Sequence, residues 1–195
     1  MEEKRRIIVG LTGASGVILG YAMLKALRRH PQVEIHLVCT KGARETLACE
    51  TDLTYDELAR LAHVVHDEQN FAASISSGSF LTEGMIVIPC SMKSLAGIVS
   101  GYADNLLLRA VDVCLKEGRK VVLVPREMPL GKVHLRNLCQ AAELGCVIEP
   151  PVLTFYSGAD TVEAQIDHIV GKILMQFGLH HEDFHAWEGI GYVDV

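Results

Sequence analysis

The sequence predicts an α/β protein built on a mostly parallel sheet, and three observations carry that expectation. Strand-like and helix-like patterns alternate along the chain. The stretches GMIVIP at 84–89 and KVVLVP at 120–125 are near-continuous apolar runs, and a small-residue turn, TGASG at 12–16, joins the first apolar run to a helical pattern. Continuous apolar strands are those buried on both faces, and repeated β-α units supply the helices that cover them. A three-layer α/β/α, Rossmann-like architecture follows.

Taken in order, Ile7, Ile8, Val9 and Leu11 form the first buried strand, the glycine-rich turn follows, and residues 21–29 place apolar side chains at helical spacing. Residues 33–39 read as a second strand, 43–50 as a short helix and 55–62 as a third helical piece. After the strand at 84–89 come helices at 93–100 and 105–117, then the strand at 120–125. A helix at 134–144, a short strand at 146–148 and a helix at 162–177 complete the pattern. The last helix carries an apolar stripe at 162, 166, 169, 170, 173 and 174, which suits a core or an interface. One domain is expected over 1–195, with a core at about 6–178 and a polar tail at about 179–195. There is no internal repeat or low-complexity tract.

The turn after the first strand leaves backbone N–H groups at the positive end of a helix, with the Thr12 and Ser15 hydroxyls beside them, an arrangement suited to a phosphate. Its glycines at 10, 13 and 16 are spaced GxxGxxG, so it is not the dinucleotide fingerprint, and no Gly-Lys-Ser/Thr follows to make a Walker loop. A turn that merely lets helix and strand pack closely would look the same.

Composition narrows the function. The net charge of −6 argues against nucleic acid or an anionic membrane as main partner. No apolar run approaches the roughly 20 residues of a membrane span, and the N-terminus runs straight into a strand, so a cytoplasmic location without signal peptide is expected. The six cysteines show no CxxC spacing, so no zinc site is written into them. Cys90 alone lies at a strand end, but nothing adjacent would activate its thiol. His180, His181 and His185 fall in a polar stretch and are expected on the surface, and His134 is expected to begin or pack a helix. No metal site is expected.

Ligands of open α/β sheets bind at the carboxyl ends of the strands. Those ends are Thr12–Gly16, Thr40-Lys41, CSMKS from Cys90 and Arg126-Glu127. Two hydroxyl-rich turns with a lysine and an arginine on one edge suit a phosphorylated cofactor. Ser91 and Ser94 as ordinary helix caps, and Arg126 as a surface residue, are the plainer alternatives.

Seven stretches together carry a family resemblance: TGASG, Ser77-Gly78-Ser79, PCSMKSLAGI from Pro89, Ala103-Asp104-Asn105 to Arg109, LKEGR from Leu115, VPREMPL from Val124 and PPVLTFY from Pro150. The chain resembles the flavin prenyltransferases of the UbiX/Pad type from about Ile7 to Trp187. PREMPL with PCSMKS is the specific pair. The related flavin-dependent cysteine decarboxylases carry an Asn-bearing PASANT-like stretch where this chain has PCSMKS, and use a histidine base early in the chain.

The resemblance implies a flavodoxin-like fold and a metal-independent transferase. Such enzymes join a dimethylallyl group from dimethylallyl phosphate to N5 and C6 of reduced FMN, and the prenylated FMN serves a UbiD-type decarboxylase. Homododecamers are the family's assembly. Position by position, Gly13, Ala14 and Ser15 would contact FMN, with Ser15 near N5. Thr40 stands where the family usually has serine, Ser91, Met92, Lys93 and Ser94 would wrap the cofactor, and Arg126 would hold it. Glu50 and Glu127 match two active-site glutamates, with Glu50 the candidate for proton handling. Arg109 and Lys116 match basic residues near the substrate phosphate, while Tyr156 and Lys172 would enter from a neighbouring subunit; many relatives have Arg at the latter. Relatives also place a tryptophan just before the Ser-Gly-Ser segment, where this chain has Ile75. Trp187 is expected to cover the site or a subunit contact.

The implied chemistry explains the residue types. Allyl–oxygen cleavage creates a cation and a phosphate dianion, so cationic side chains on the leaving group lower the barrier, and bonding at C6 requires loss of a ring proton to a base. An FMN-dependent decarboxylase, or a non-catalytic FMN-binding accessory subunit, remains the alternative on sequence alone.

Overall fold

Seven helices and six strands alternate along the chain in a computed structural model that describes residues 4–187 and 189. The strands are β1 (Arg5–Leu11), β2 (Val33–Cys39), β3 (Val64–His66), β4 (Gly84–Cys90), β5 (Lys120–Pro125) and β6 (Val147–Ile148). All neighbours pair in parallel, in the order β3-β2-β1-β4-β5-β6. The chain therefore builds outward from β1 in one direction, returns to β4, and builds outward in the other. The switch point lies between β1 and β4.

The helices are α1 (Val17–Arg28), α2 (Lys41–Glu50), α3 (Tyr55–Ala59), α4 (Met92–Ser100), α5 (Leu106–Lys116), α6 (Lys132–Glu143) and α7 (Val162–Met175). Alternation along β1 shows that α1 and α5 cover opposite faces. A Cβ on Gly20 of α1 would lie 2.7 Å from Leu11 Cδ2, and one on Gly10 would meet Met85 of β4 at 2.7 Å and Leu107 of α5 at 3.0 Å. Successive residues of a strand point to opposite faces, so Gly10 and Leu11 carry one helix each. Every residue of β4 is buried, as its unbroken apolar run predicts.

Most helix starts have a side-chain cap. Thr40, Thr54, Ser91, Asn105 and Thr161 each accept a hydrogen bond from the backbone N–H three residues on, and His134 Nδ1 accepts from Gly131 N at 3.2 Å to close the start of α6. Strand β3 and a 3₁₀ turn at Ser74–Ser76 are additions to the sequence reading. β3 has three residues, pairs on one side only and exposes Val64 and Val65, so it leaves no apolar run to detect.

The chain divides into two compact units at Pro151/Val152. The first holds the sheet and α1–α6. The second holds the 152–161 loop, α7 and the following turn, and Gln165 organises it: its side-chain amide donates to the Thr154 and Ala159 carbonyls at 2.8 and 2.7 Å and its oxygen accepts from Thr154 N at 3.0 Å. His181 is buried there, against expectation, because Asp183 N donates to its Nδ1 at 3.2 Å and folds the turn around it. His180 and His185 are exposed. Of the expected 179–195 tail, residue 188 and residues 190–195 lie outside the described residues. No described helix is long and apolar enough to cross a membrane.

Candidate active site

Four strand ends are laced together at the switch point. Thr40 N at the end of β2 donates to Leu11 O of β1 at 3.0 Å, and Arg126 N beyond β5 donates to Cys90 O of β4 at 3.1 Å. Thr12 ties β1 to β4: its hydroxyl donates to Pro89 O at 2.7 Å and accepts from Ser91 N at 2.7 Å. Thr12 is 1% exposed, so its hydroxyl serves the scaffold rather than a ligand. The loops carrying Gly13–Ser15, Thr40, Ser91–Ser94 and Arg126 thereby come to one edge of the sheet.

The turn after β1 is shaped by close backbone approach. A Cβ on Gly13 would lie 2.9 Å from the Gly42 carbonyl carbon, so the first turn of α2 rests on the loop. Gly16, at φ +96°, starts α1 without a side-chain cap. Glu50 fills that role from the end of α2: its Oε2 accepts from Gly16 N at 2.8 Å, and the Ser15 hydroxyl and Val17 N donate to the same carboxylate. Burial draws the Glu50 carboxyl upward, but these three donors and the nearby Arg126 charge outweigh it and hold it below the usual carboxylate range. Two N–H groups at the start of α1, those of Gly16 and Val17, are therefore engaged by a carboxylate of the chain itself.

At the other candidates, Thr40 and Ser91 act as caps, accepting from Ala43 N and Ser94 N at 3.2 Å each, and Ser91 Oγ donates to Ser94 Oγ at 3.1 Å. Capping and ligand contact are compatible, since a hydroxyl oxygen has two lone pairs. Ala14 and Ser94 are buried, Ser15 and Met92 are partly buried, and Gly13 and Arg126 are exposed. Lys93 lines a cleft of about 700 Å³ beside Tyr102, Asp104, Arg136 and Asn137. Glu127 is exposed, and its Oε1 accepts from Met128 N at 3.0 Å.

Arg109 and Lys116 lie two turns apart on α5. Arg109 Nη1 donates to Asp112 Oδ2 at 2.6 Å and its Nε to Ser76 O at 3.2 Å, while Lys116 Nζ lies 3.7 Å from Glu117 Oε1. Ile75 is 1% exposed and belongs to the core. Within the second unit, Tyr156 is exposed and meets two rings edge-on, His168 at 5.7 Å and Trp187 at 5.5 Å. His168 in turn contacts Phe184 at 4.9 Å, and Phe184 sits where a Cβ on Gly171 would be. Lys172 follows on α7 and is exposed.

Cys90 is fully buried, and desolvation pushes its thiol up to about 12, so it is inert at neutral pH. A buried histidine pair has no signal in the sequence. His36 Nδ1 and His66 Nε2 lie 3.0 Å apart, and His36 Nε2 contacts Glu34 Oε1 at 2.9 Å. The three residues share only a β2–β3 register, which no local motif encodes.

A parallel sheet whose switch point collects hydroxyls, a guanidinium and a carboxylate belongs to the class of α/β flavoproteins, and the flavoprotein family model matches residues 1–178. A probable UbiX-like flavin prenyltransferase of Sedimentibacter hydroxybenzoicus is 64% identical over 184 residues, covering 94% of this chain and 97% of that protein. The chain belongs to the UbiX-like flavin prenyltransferases. Among solved structures, a dodecameric protein of Escherichia coli O157:H7, described as an FMN-dependent UbiX-like decarboxylase, superposes with a TM-score of 0.92 at 52% identity, covering 94% of this chain and all of that one. AnUbiX, crystallised with FMN and dimethylallyl pyrophosphate, superposes with a TM-score of 0.93 at 49% identity, covering 96% and 99%.

Proposed function

We propose that the protein transfers a dimethylallyl group from dimethylallyl phosphate to N5 and C6 of reduced FMN, and that a UbiD-type decarboxylase receives the prenylated product. Family membership supports the reaction class, and the observation that carries the residue assignment is the Glu50 carboxylate bound to Ser15, Gly16 and Val17 at the switch point. The donor set fits the ligand. The Ser15, Thr40, Ser91 and Ser94 hydroxyls and the Arg126 guanidinium are the groups that hold a phosphate and the polar edge of a flavin. Reduced FMN, when bound, supplies the two nucleophilic ring atoms.

The side chains have distinct tasks in this reading. Gly13, Ala14, Ser15, Thr40, Ser91, Met92, Lys93, Ser94 and Arg126 bind and orient FMN. Arg109, Lys116, Tyr156 and Lys172 hold the donor phosphate and stabilise it as negative charge develops on the leaving oxygen. Lys172 does so as a point charge, without the bidentate grip of arginine. Glu50 moves protons, with Ser15 as its hydrogen-bonded neighbour and Glu127 in support. A depressed carboxyl is ionised at neutral pH and so begins as a proton acceptor.

The assembly is a homododecamer in the cytoplasm, like the dodecameric relative, with Tyr156 and Lys172 supplied by a neighbouring copy. Free cysteines throughout suit a reducing compartment. Mass spectrometry of the flavin recovered after anaerobic incubation with reduced FMN and dimethylallyl phosphate tests the reaction. A gain of one C5 unit is expected; unchanged FMN, with binding confirmed in the same sample, would refute it. Repeating the assay with the pyrophosphate decides donor preference.

A further inference from the structure

Ser77-Gly78-Ser79 and the Glu117-Gly118-Arg119 end of LKEGR have no role in the reading above, and the fold packs one against the other. Beyond α5, Gly118 adopts φ +66°, and Arg119 N donates to Cys114 O at 2.8 Å. The turn brings the Arg119 guanidinium onto the 76–82 segment. Its Nη1 donates to Phe80 O at 2.8 Å and to Thr82 Oγ1 at 3.4 Å, and its Nη2 donates to Gly78 O. A planar fork spanning three acceptors fixes a backbone segment in a way that an ammonium does not.

The clamped segment touches Arg109 directly and reaches Lys116 through Glu117. Ser76 O accepts from Arg109 Nε, and Asp112 takes Nη1. Among the described residues, the second terminal nitrogen of Arg109 is left for a ligand. At Gly78, a Cβ would stand 2.1 Å from Glu117 Oε1. The Glu117 carboxylate therefore occupies space that only glycine leaves, and there it lies 3.7 Å from the Lys116 ammonium. The arrangement of both cations traces to one short piece of backbone.

We propose that Arg119 is a positioning residue for the prenyl donor: it holds residues 76–80 so that Ser76 orients Arg109 and, through Gly78 and Glu117, Lys116 is kept tethered. This rests on the prenyltransferase reading, in which Arg109 and Lys116 meet the donor phosphate. Long cationic side chains lose rotamer entropy on docking, and pre-set rotamers reduce that loss.

The test is steady-state prenyl transfer at saturating reduced FMN and varied dimethylallyl phosphate, with thermal unfolding and FMN affinity measured on every variant. Arg119→Lys keeps the charge and loses the fork; Gly78→Ala displaces only the end of a flexible side chain and leaves the fold intact. Both should raise KM for the donor about three- to tenfold, the cost of ordering one or two side chains on binding, with kcat and FMN affinity unchanged. Glu117→Ala should raise KM similarly, and adding Gly78→Ala to it should do nothing more, because no carboxylate remains to displace. A clamp of purely structural importance would lower the melting temperature and leave KM alone. Unchanged KM in folded Gly78→Ala, or an equal effect of Gly78→Ala with and without Glu117, overturns the proposal even where Arg119→Lys fails to fold. Absence of transfer by the wild type would overturn the functional reading and this proposal with it, whereas wild-type turnover with a flat KM across the variants overturns this proposal alone.

Discussion

Glu50 and Thr12 show how a single side chain joins distant parts of the chain. Glu50 lies 34 residues from Gly16, whose N–H donates to it, and its carboxylate completes the start of a helix that has no cap of its own. Glu50→Gln keeps the shape and removes the base, so FMN binding should persist while the C5 mass gain is lost or stalls before completion; a variant with wild-type yield would remove Glu50 from proton handling. Thr12→Val replaces a buried hydroxyl that donates to Pro89 and accepts from Ser91. Leaving both partners unsatisfied should cost about 1–3 kcal/mol in urea denaturation and weaken FMN binding, because the turns after β1 and β4 are no longer tied. From the sequence, the family resemblance nominates Ser15 and Glu50 as site residues, and Thr12 stands out only as a hydroxyl beside the glycine turn. Its structural role was hidden because its partners lie 77 and 79 residues away.

At the level of elements, α1 depends on Gly20. Alanine there would gain about 1 kcal/mol of helix propensity, yet its Cβ would stand 2.8 Å from the Ile88 carbonyl and 2.7 Å from Leu11. Overpacking against a strand costs about 1–3 kcal/mol, so Gly20→Ala should lower stability despite the better propensity, as a thermal melt will report. The β2–β3 edge carries part of the pH sensitivity. Burial, together with neighbouring His36, pushes His66 down to about 4. A histidine held below its unfolded value binds fewer protons when folded, so its stability contribution is complete above about pH 6.5 and is lost as pH falls toward 4. Glu34, held low chiefly by its bond to His36, adds loss in the same direction below about pH 4.5. Denaturation between pH 7 and 4 should therefore show a decline on the order of 2 kcal/mol, and His66→Gln should flatten it. Strand and helix patterns were readable wherever apolar periodicity was long; β3, whose pairing partner is its only support, was not.

Across the whole molecule, the exposed apolar side chains are the feature that a lone chain leaves unexplained. Phe155 is 87% and Met128 85% exposed, and each lies in a segment that resembles the family's motifs. Light scattering should give about twelve times the 21.3 kDa chain mass, and Phe155→Ser should shift the protein to smaller, less active species. Mixing inactive Glu50→Gln with inactive Lys172→Ala and reassembling them should restore part of the activity, because a site drawing Glu50 from one copy and Lys172 from another can then be built from two intact halves. Failure of mixed oligomers to recover activity would place both residues in the same copy's site.

By itself, the sequence determined the fold class and the family, and nominated the site residues, because continuous apolar strands, a glycine turn and paired motifs such as PCSMKS and PREMPL are local properties of the chain. Only the tertiary structure decided which hydroxyls are spent on the scaffold, that Glu50 caps α1, that His36 and His66 are buried as a pair, and that Arg119 grips the segment before β4. Each of these depends on strand register or on helix ends meeting across tens of residues, and hydrogen bonds of that span leave no periodic trace in the sequence.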